Sequence, residues 1–421
     1  MKAVILAAGE SSRFRPLSDR RHKGLTEVLG KPIIEHTVEE LQDAGVDEII
    51  VVQGPEEEIE RELGDKADHY VIQEDPRGMG HALEQAENLL EGKFFVLTPY
   101  RANAAQFFEP MMELAEKENS GIVFVSTPTD EPEKYGILEM EDGRAVDIVE
   151  KPAPGEEPSD QKVVGMYLLD EKFFDYLEQV ETWEYQYEDA LSGYMQDEPA
   201  SVLKIGEKTN SIKYPWDLFS VVRELLEKHE RDISEDAEIA DSAELKGDVI
   251  VEPGARIFEN AVVKGPAYIG KDAVVGNNAL VRDYSALERG STVGANCEAK
   301  NTVFQPNSSM HSQFIGDSVV GRNSKIGAGT VVANRRFRSD GERPEIESDL
   351  IGKEHSKESG RDSLGAFIGE DVDIGVNVSI MPGVQIGSDA RIGPGTTVHE
   401  NVGEGETVYV HQEVKRSDSG D

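Results

Sequence analysis

The sequence holds one cysteine, Cys297, in 421 residues. That excludes a disulfide framework and any cysteine-rich metal site. Basic charge is also scarce: 43 Lys+Arg stand against 83 Asp+Glu, a formal net charge of −40. So acidic a surface leaves no room for the large basic patch that duplex binding demands, and an anionic membrane would repel it. Neither nucleic acid nor membrane is expected as a partner. Long apolar runs are missing as well. The opening MKAVILAAGE is too short in apolar length for a signal peptide, and no segment approaches the roughly 18 apolar residues of a membrane span, so a cytoplasmic location is expected. Charge of this kind suggests disorder, but 38% hydrophobic residues and 40 glycines at regular spacing argue for a packed protein. The surplus then reads as a solvation device, of the kind familiar in proteins working at high salt.

The chain divides in two. Residues 1–230 alternate apolar strands with amphipathic helices. Ala3 to Leu6 is a short buried strand that ends at Ala7-Ala8-Gly9. Ile33 to Ala44 has helical periodicity, and Asp47 to Val52, Phe94 to Leu97, Gly121 to Ser126 and Val163 to Leu169 read as strands. Trp216 to His229 reads as a closing helix. The alternation predicts an α/β, Rossmann-like domain whose mostly parallel sheet is covered on both faces.

Residues 235–412 follow another grammar, before an acidic tail at 413–421. Steps of six from Ile239 give Leu245, Val251, Ile257, Val263, Ile269, Val275, Val281, Leu287, Val293 and Ala299, all aliphatic or small. The register returns as Ile368, Ile374, Ile380, Ile386, Ile392 and Val398. Helices have no six-residue period. A hexapeptide repeat marks a parallel β-helix, in which each hexad forms one flat side and points an aliphatic residue inward. Three hexads make one coil, and the helix is expected to be left-handed. Two stretches interrupt the register, Asn301–Gln313 and Arg335–Gly365. The second is polar, and a solvated loop is its plain reading. Its place between coils, within reach of a neighbouring subunit, makes a binding role the competitor.

Small residues after the first strand, Ala8 and Gly9, let backbone N–H groups turn toward a phosphate, and Arg13 adds charge. Taken with Lys23, Gly30-Lys31-Pro32-Ile33, Gln73 before Gly78-Met79-Gly80-His81-Ala82, and Glu150-Lys151-Pro152, the segment resembles the sugar-1-phosphate nucleotidyltransferase superfamily. That family joins a nucleoside triphosphate to a sugar phosphate and releases pyrophosphate. The resemblance implies that Lys23 neutralises phosphates, that Gln73 and the Gly78 region hold the base, and that Glu150 and Lys151 face the sugar phosphate.

The family's metal ligands are missing. Its two ligand positions align with Tyr100, after Phe94–Leu97, and Ser211, before Tyr214-Pro215-Trp216-Asp217. Magnesium wants hard, preferably anionic oxygens. A phenol and a hydroxyl are poor replacements, and Arg101 and Lys213 add positive charge. No metal site is therefore expected. Either those cations partly replace the metal, or the site has lost phosphoryl chemistry; loss is the favoured expectation.

In the second half, Arg282 and Lys300 are eighteen residues apart, one full coil, so they are expected to stack on one face about 5 Å apart with no acidic residue between them. Such a pair suits a phosphate. Together with Glu298-Ala299-Lys300-Asn301, His311, Phe314-Ile315-Gly316-Asp317, Gly327-Ala328-Gly329-Thr330 and Asn334, it resembles the acetyltransferase half of bifunctional sugar-1-phosphate uridylyltransferase/glucosamine-1-phosphate N-acetyltransferases, here of archaeal halophile type. The combined resemblance runs over nearly the whole chain in the same domain order. It implies acetyl-CoA as co-substrate, His311 as general base, Arg282 and Lys300 on the sugar phosphate, Asn334 on the acyl or amino-sugar group, backbone amides near Ala328 on the thioester, and a homotrimer. The family's usual Tyr is Phe314 here, and Ser363 replaces an expected lysine; Arg335, Arg336, Arg338 and Arg343 are candidates to compensate.

The leading expectation is an N-acetyltransferase of hexosamine 1-phosphates with a degenerate nucleotidyltransferase domain. A fully bifunctional enzyme using a nucleoside triphosphate is the first alternative, and a non-catalytic scaffold subunit is the second.

Overall fold

The computed structural model describes residues 1–206, 212–338, 343–352, 356–411 and 413–414. Ser211 and most of the acidic tail lie outside the described residues. The chain forms two compact units. One comprises Met1–Ser11, Arg21–Thr26 and Lys31–Ser211, and the other comprises Ser12–Arg20, Glu27–Gly30 and Ile212–Asp421.

The first unit is built on a nine-stranded sheet. Its strands are β1 (Lys2–Ala7), β2 (Glu48–Gln53), β3 (His69–Ile72), β4 (Lys93–Leu97), β5 (Ile122–Pro128), β6 (Gly136–Glu141), β7 (Arg144–Glu150), β8 (Gln161–Asp170) and β9 (Ala200–Lys204). They lie in the order β3-β2-β1-β4-β8-β5-β9-β7-β6. Successive side chains of a strand point to opposite faces, so each strand feeds two cores. Val4, Leu6, Ile50 and Val96 pack toward the helix Gln186–Asp197. Ala3, Ile5, Ile49 and Leu97 pack toward the helices Ile33–Asp43 and Ala105–Glu118.

The sheet is mixed, which corrects the mostly parallel expectation. Strands β1 to β4 run parallel, but β8 runs antiparallel to both β4 and β5. A hairpin adds β6 and β7. Asp142 and Gly143 join them at φ 48° and 84°, the positive values a two-residue hairpin turn needs. Among the described residues, no helix is long and apolar enough to cross a membrane.

The second unit is a prism of three parallel sheets with eight, nine and eight strands. The hexad aliphatics fill it: Val251, Ile257, Val263, Ile269, Val275, Val281, Leu287 and Val293 are all buried in one core. Ile239, Ile257, Val275 and Val293 stack rung on rung, eighteen residues apart. Corner residues Asn260, Asn278 and Asn296 each hold φ 58°, a left-handed conformation that asparagine tolerates.

The two interruptions differ in kind. Val293 pairs with Met310 and Met310 with Ile326, so around Asn301–Gln313 the coils shorten rather than carry an insertion. Ile326 then pairs with Ile374, and the long excursion that intervenes contains a two-stranded ribbon, Glu347–Asp349 with Ser356–Glu358. It is pinned rather than simply solvated. Ser348 Oγ donates to the Gly383 carbonyl at 2.7 Å, and Gln385 Oε1 accepts from Ile351 N at 3.1 Å. The helix Leu218–Glu227 groups with this unit.

Candidate functional site

In the first unit, β1 ends at Ala7, and Ala8 and Gly9 follow. Ser11, at φ 56°, accepts the Lys23 amide on its hydroxyl at 3.3 Å. His22 Nδ1 accepts from Gly24 N at 3.1 Å and so caps the short turn that carries Lys23. Burial, with the neighbouring Lys23 charge, pushes the His22 imidazole down to about 3. His22 therefore stays neutral and free to accept. Lys23 Nζ lies 4.6 Å from the centre of the Tyr100 ring.

Gln73 is buried, and its amide nitrogen reaches the Gly78 carbonyl at 3.3 Å and His81 Nδ1 at 2.9 Å. The side chain nominated for the base thus fixes the turn at Gly78. Gly78 sits at φ 113°, and a Cβ there would lie 2.9 Å from the Glu184 carbonyl oxygen. Only glycine fits so close an approach.

Glu150 ends β7, and Lys151 follows at φ 49°. Lys151 Nζ donates to Tyr185 Oη at 3.0 Å and pairs with Glu150 Oε1 at 3.2 Å. Burial opposes the charge of this ammonium, but Tyr185 and Glu150 outweigh it and hold the ammonium above the ordinary lysine value. Arg13 is exposed and belongs to the Ser12–Arg20 segment of the second unit.

The expected cation at Arg101 takes another role. Arg101 is only 4% exposed; its guanidinium donates to the Val164 carbonyl and its Nε to Thr98 Oγ at 3.2 Å. It braces the end of β4 against β8 and stands 5.5 Å from the Tyr100 ring centre. A phenol flanked by two cations does not fit magnesium. Among the described residues no cluster of three His, Cys, Asp or Glu side chains is placed to hold a metal ion.

In the second unit Arg282 and Lys300 stack as neighbours in register. The expectation that no acid intervenes is overturned. Glu298, two residues before Lys300 on the same outward face, accepts from Arg282 Nε at 2.9 Å and from Nη2 at 2.7 Å, and Asp283 takes Nη1. Lys300 Nζ pairs with buried Asp317 at 3.1 Å. Strand residues i and i+2 share a face, so the acid of one rung reaches the cation of the rung beneath.

Asp317 is the hub that sequence reasoning missed. It accepts from Lys300 Nζ, from Asn301 Nδ2 at 2.7 Å and from Asn334 Nδ2 at 2.5 Å. Its position directly after Gly316, one rung above Lys300, was the available signal. Arg361 is half-buried, and desolvation draws its guanidinium below the ordinary value against the pull of both Asp217 and Asp317. Arg335 Nε donates to Ser363 Oγ at 2.7 Å.

His311 is exposed at the corner before the strand Gln313–Gly316. That strand, about 13 Å long at 3.3 Å per residue, separates it from the Lys300–Gly316 rung. His311 and the cations therefore stand at opposite ends of one strand, with the Phe314 ring between them folded over Gly316 toward Asn334. Gly329 N donates to Ser312 Oγ at 3.3 Å, which seats the Ala328–Gly329 corner on the His311–Ser312 corner.

Residues 2–210 match the nucleotidyl transferase family, and residues 365–400 match the bacterial transferase hexapeptide family of six repeats. The chain is 38% identical over 393 residues to the bifunctional protein GlmU of Methanococcus maripaludis strain C7, covering 91% of each chain. It is 33% identical over 396 residues to the bifunctional sugar-1-phosphate nucleotidylyltransferase/acetyltransferase of Sulfurisphaera tokodaii, covering 91% of this chain and 94% of that one. The low-salt glycan biosynthesis nucleotidyltransferase Agl11 of Haloferax volcanii is 32% identical over 208 residues, 47% of this chain and 58% of its own. Fold and matches together define a transferase with a nucleotidyltransferase unit and a hexapeptide unit. The chain belongs to the bifunctional GlmU family.

Proposed function

We propose that the chain is bifunctional: an acetyl-CoA-dependent N-acetyltransferase of a hexosamine 1-phosphate, and a nucleotidyltransferase that joins the product to a nucleoside triphosphate. The observation that carries this reading is the match, across 91% of the chain, to one relative named for both activities and to another named as bifunctional. It displaces the expected loss of nucleotidyl transfer, which rested on Tyr100 and Ser211 at the ligand positions and on the neighbouring charges of Arg101 and Lys213.

In the second unit the sugar's amine faces His311 and its phosphate faces the side chains of Lys300 and Arg282. The amine attacks the thioester carbonyl, His311 takes its proton, and the carbon–sulfur bond breaks to release CoA thiol. Amides near Ala328 face the thioester, and Asn334 holds the acyl or amino-sugar group.

In the first unit an oxygen of the sugar phosphate attacks the α-phosphorus of the nucleotide, and pyrophosphate leaves. Lys23 neutralises phosphate charge from its capped turn, the backbone after β1 and the Gly78 turn cradle the nucleotide, and Glu150 with Lys151 faces the sugar phosphate. Phosphoryl transfer depends on such positioning and charge neutralisation. No step is assigned to magnesium. The active form is a homotrimer in a saline cytoplasm.

Paired assays test the reading. With acetyl-CoA and glucosamine or galactosamine 1-phosphate, thiol release is expected; with nucleoside triphosphates and the N-acetylated product, pyrophosphate release is expected. Thiol without pyrophosphate would restore the degenerate reading, which the Tyr100 geometry favours. Neither product would leave a scaffold subunit.

A further inference from the structure

The sequence has two tryptophans. Trp216 is buried, whereas Trp183 is 48% exposed. An exposed indole is ordinarily free to rotate, but this one is fixed twice over. Its Nε1 donates to Asp189 Oδ2 at 2.8 Å, and its ring meets the Tyr185 ring edge to face at 5.1 Å between centres. The protein holds a rigid aromatic face toward solvent, and nothing in folding requires that face to be uncovered.

Its neighbours are the residues of the proposed nucleotidyltransfer site. Tyr185 takes the hydrogen bond from Lys151, whose ammonium also lies 5.0 Å from the centre of its ring. The carbonyls of Trp183 and Glu184 are the groups that a Cβ at Gly78 would strike. The segment 183–185 therefore runs from the nucleotide turn to the Glu150–Lys151 pair.

The helix Gln186–Asp197 continues from this segment and brings in Glu188. Its Oε2 is buried and has no hydrogen-bond partner among the described residues. Burial first, then the nearby Glu150 charge, raises this carboxyl to about 7, against the hydrogen bond from its own backbone N–H and the weaker pull of Lys151. Near neutrality it is able both to accept from a hydroxyl and to donate to a carbonyl. A flat apolar ring beside paired polar groups is the chemistry that recognises a pyranose, which has one apolar face and a rim of hydroxyls.

We propose that Trp183, backed by Tyr185, is the platform for the acceptor sugar's ring in the first unit, and that the Glu188 carboxyl contacts the polar rim of that sugar. The inference rests on the nucleotidyltransfer reading. It makes Trp183 and Glu188 determinants of which sugar 1-phosphate is accepted, while the nucleotide is held elsewhere.

The test uses the full-length protein and its own fluorescence. Trp216→Phe leaves Trp183 as the sole tryptophan reporter. N-acetylglucosamine 1-phosphate is expected to quench and shift its emission in a saturable way, and a nucleoside triphosphate alone is expected to leave it nearly unchanged. In pyrophosphate release, Trp183→Ala is expected to raise the KM for the sugar phosphate about tenfold and leave the nucleotide KM unaltered, with Trp183→Phe restoring most of the loss. Glu188→Leu is expected to raise the same KM, and Glu188→Gln to raise it less. An unchanged sugar-phosphate KM in Trp183→Ala, or an emission change with nucleotide alone, would overturn the proposal. Wild-type protein that binds the sugar phosphate by fluorescence but releases no pyrophosphate would instead remove the catalytic reading and leave the platform standing.

Discussion

Lys300 and Asp317 form a nearly enclosed ion pair, 3.1 Å apart, with the acid one rung above the cation in the prism. The same carboxylate holds Asn301 and Asn334. A buried acid with three donors organises the site as much as it balances charge. Replacing Asp317 by alanine strands a partly buried ammonium and two amides, and the unit is expected to lose about 3 kcal/mol. Urea denaturation measures this, and thiol release is expected to fall with it. A variant of unchanged stability would show that the hub is dispensable.

His311 makes no comparable structural contribution, because its side chain lies exposed at a corner. His311→Ala is expected to fold normally and to lower the rate of thiol release by about 10²–10⁴-fold, the usual worth of a general base. Pyrophosphate release is expected to remain at the wild-type rate. Equal loss of both activities would contradict the division of labour between the units.

Lys23 offers the reciprocal experiment. Its turn is set by the neutral His22 cap, and its ammonium stands over Tyr100. Lys23→Met is expected to lower pyrophosphate release about 100-fold, as for removal of one preorganised phosphate contact, and to spare thiol release. Unaltered pyrophosphate kinetics would move the phosphate site away from this turn.

Glu288 predicts a pH dependence of stability. Its buried carboxyl accepts from Leu29 N at 2.9 Å and Gly30 N at 2.8 Å, and burial together with Glu27 raises it from 4.5 to about 8, against the pull of those amides and Arg289. Between those values the folded state keeps a proton that the unfolded chain has released. Stability therefore falls as pH rises from about 4.5 to 8. Glu188 acts with the same sign up to about 7. Glu288→Gln is expected to flatten much of the slope in denaturation midpoints across that window. A slope equal to wild type would locate its source in other groups.

Salt supplies a further test. With a net charge of −40, self-repulsion opposes the compact state until it is screened. The thermal midpoint is expected to rise steadily from 0.1 M to molar potassium chloride, and a flat profile would remove the solvation account of the charge.

The β-helix was legible because its signal is local and repeated. A six-residue period places every inward residue, and Ile239, Ile257, Val275 and Val293 stack as that period requires. The stacking of Arg282 on Lys300 follows from the same count. The mixed order of the first sheet was less legible, although Asp142-Gly143 carried a hairpin signal. The antiparallel placement of β8 between β4 and β5 depends on which edges meet, and no short stretch encodes that.

The sequence by itself determined the two kinds of unit, the acidic surface and the identity of the polar residues at each site. Periodicity and composition are properties of neighbours along a chain. The tertiary structure alone decided which charges neutralise one another. It gave Glu298 to Arg282, Asp317 to Lys300 and the Val164 carbonyl to Arg101, and it left Trp183 uncovered beside Tyr185. Such pairings join residues on different strands and loops, and their energies depend on distances of a few ångströms that only packing sets.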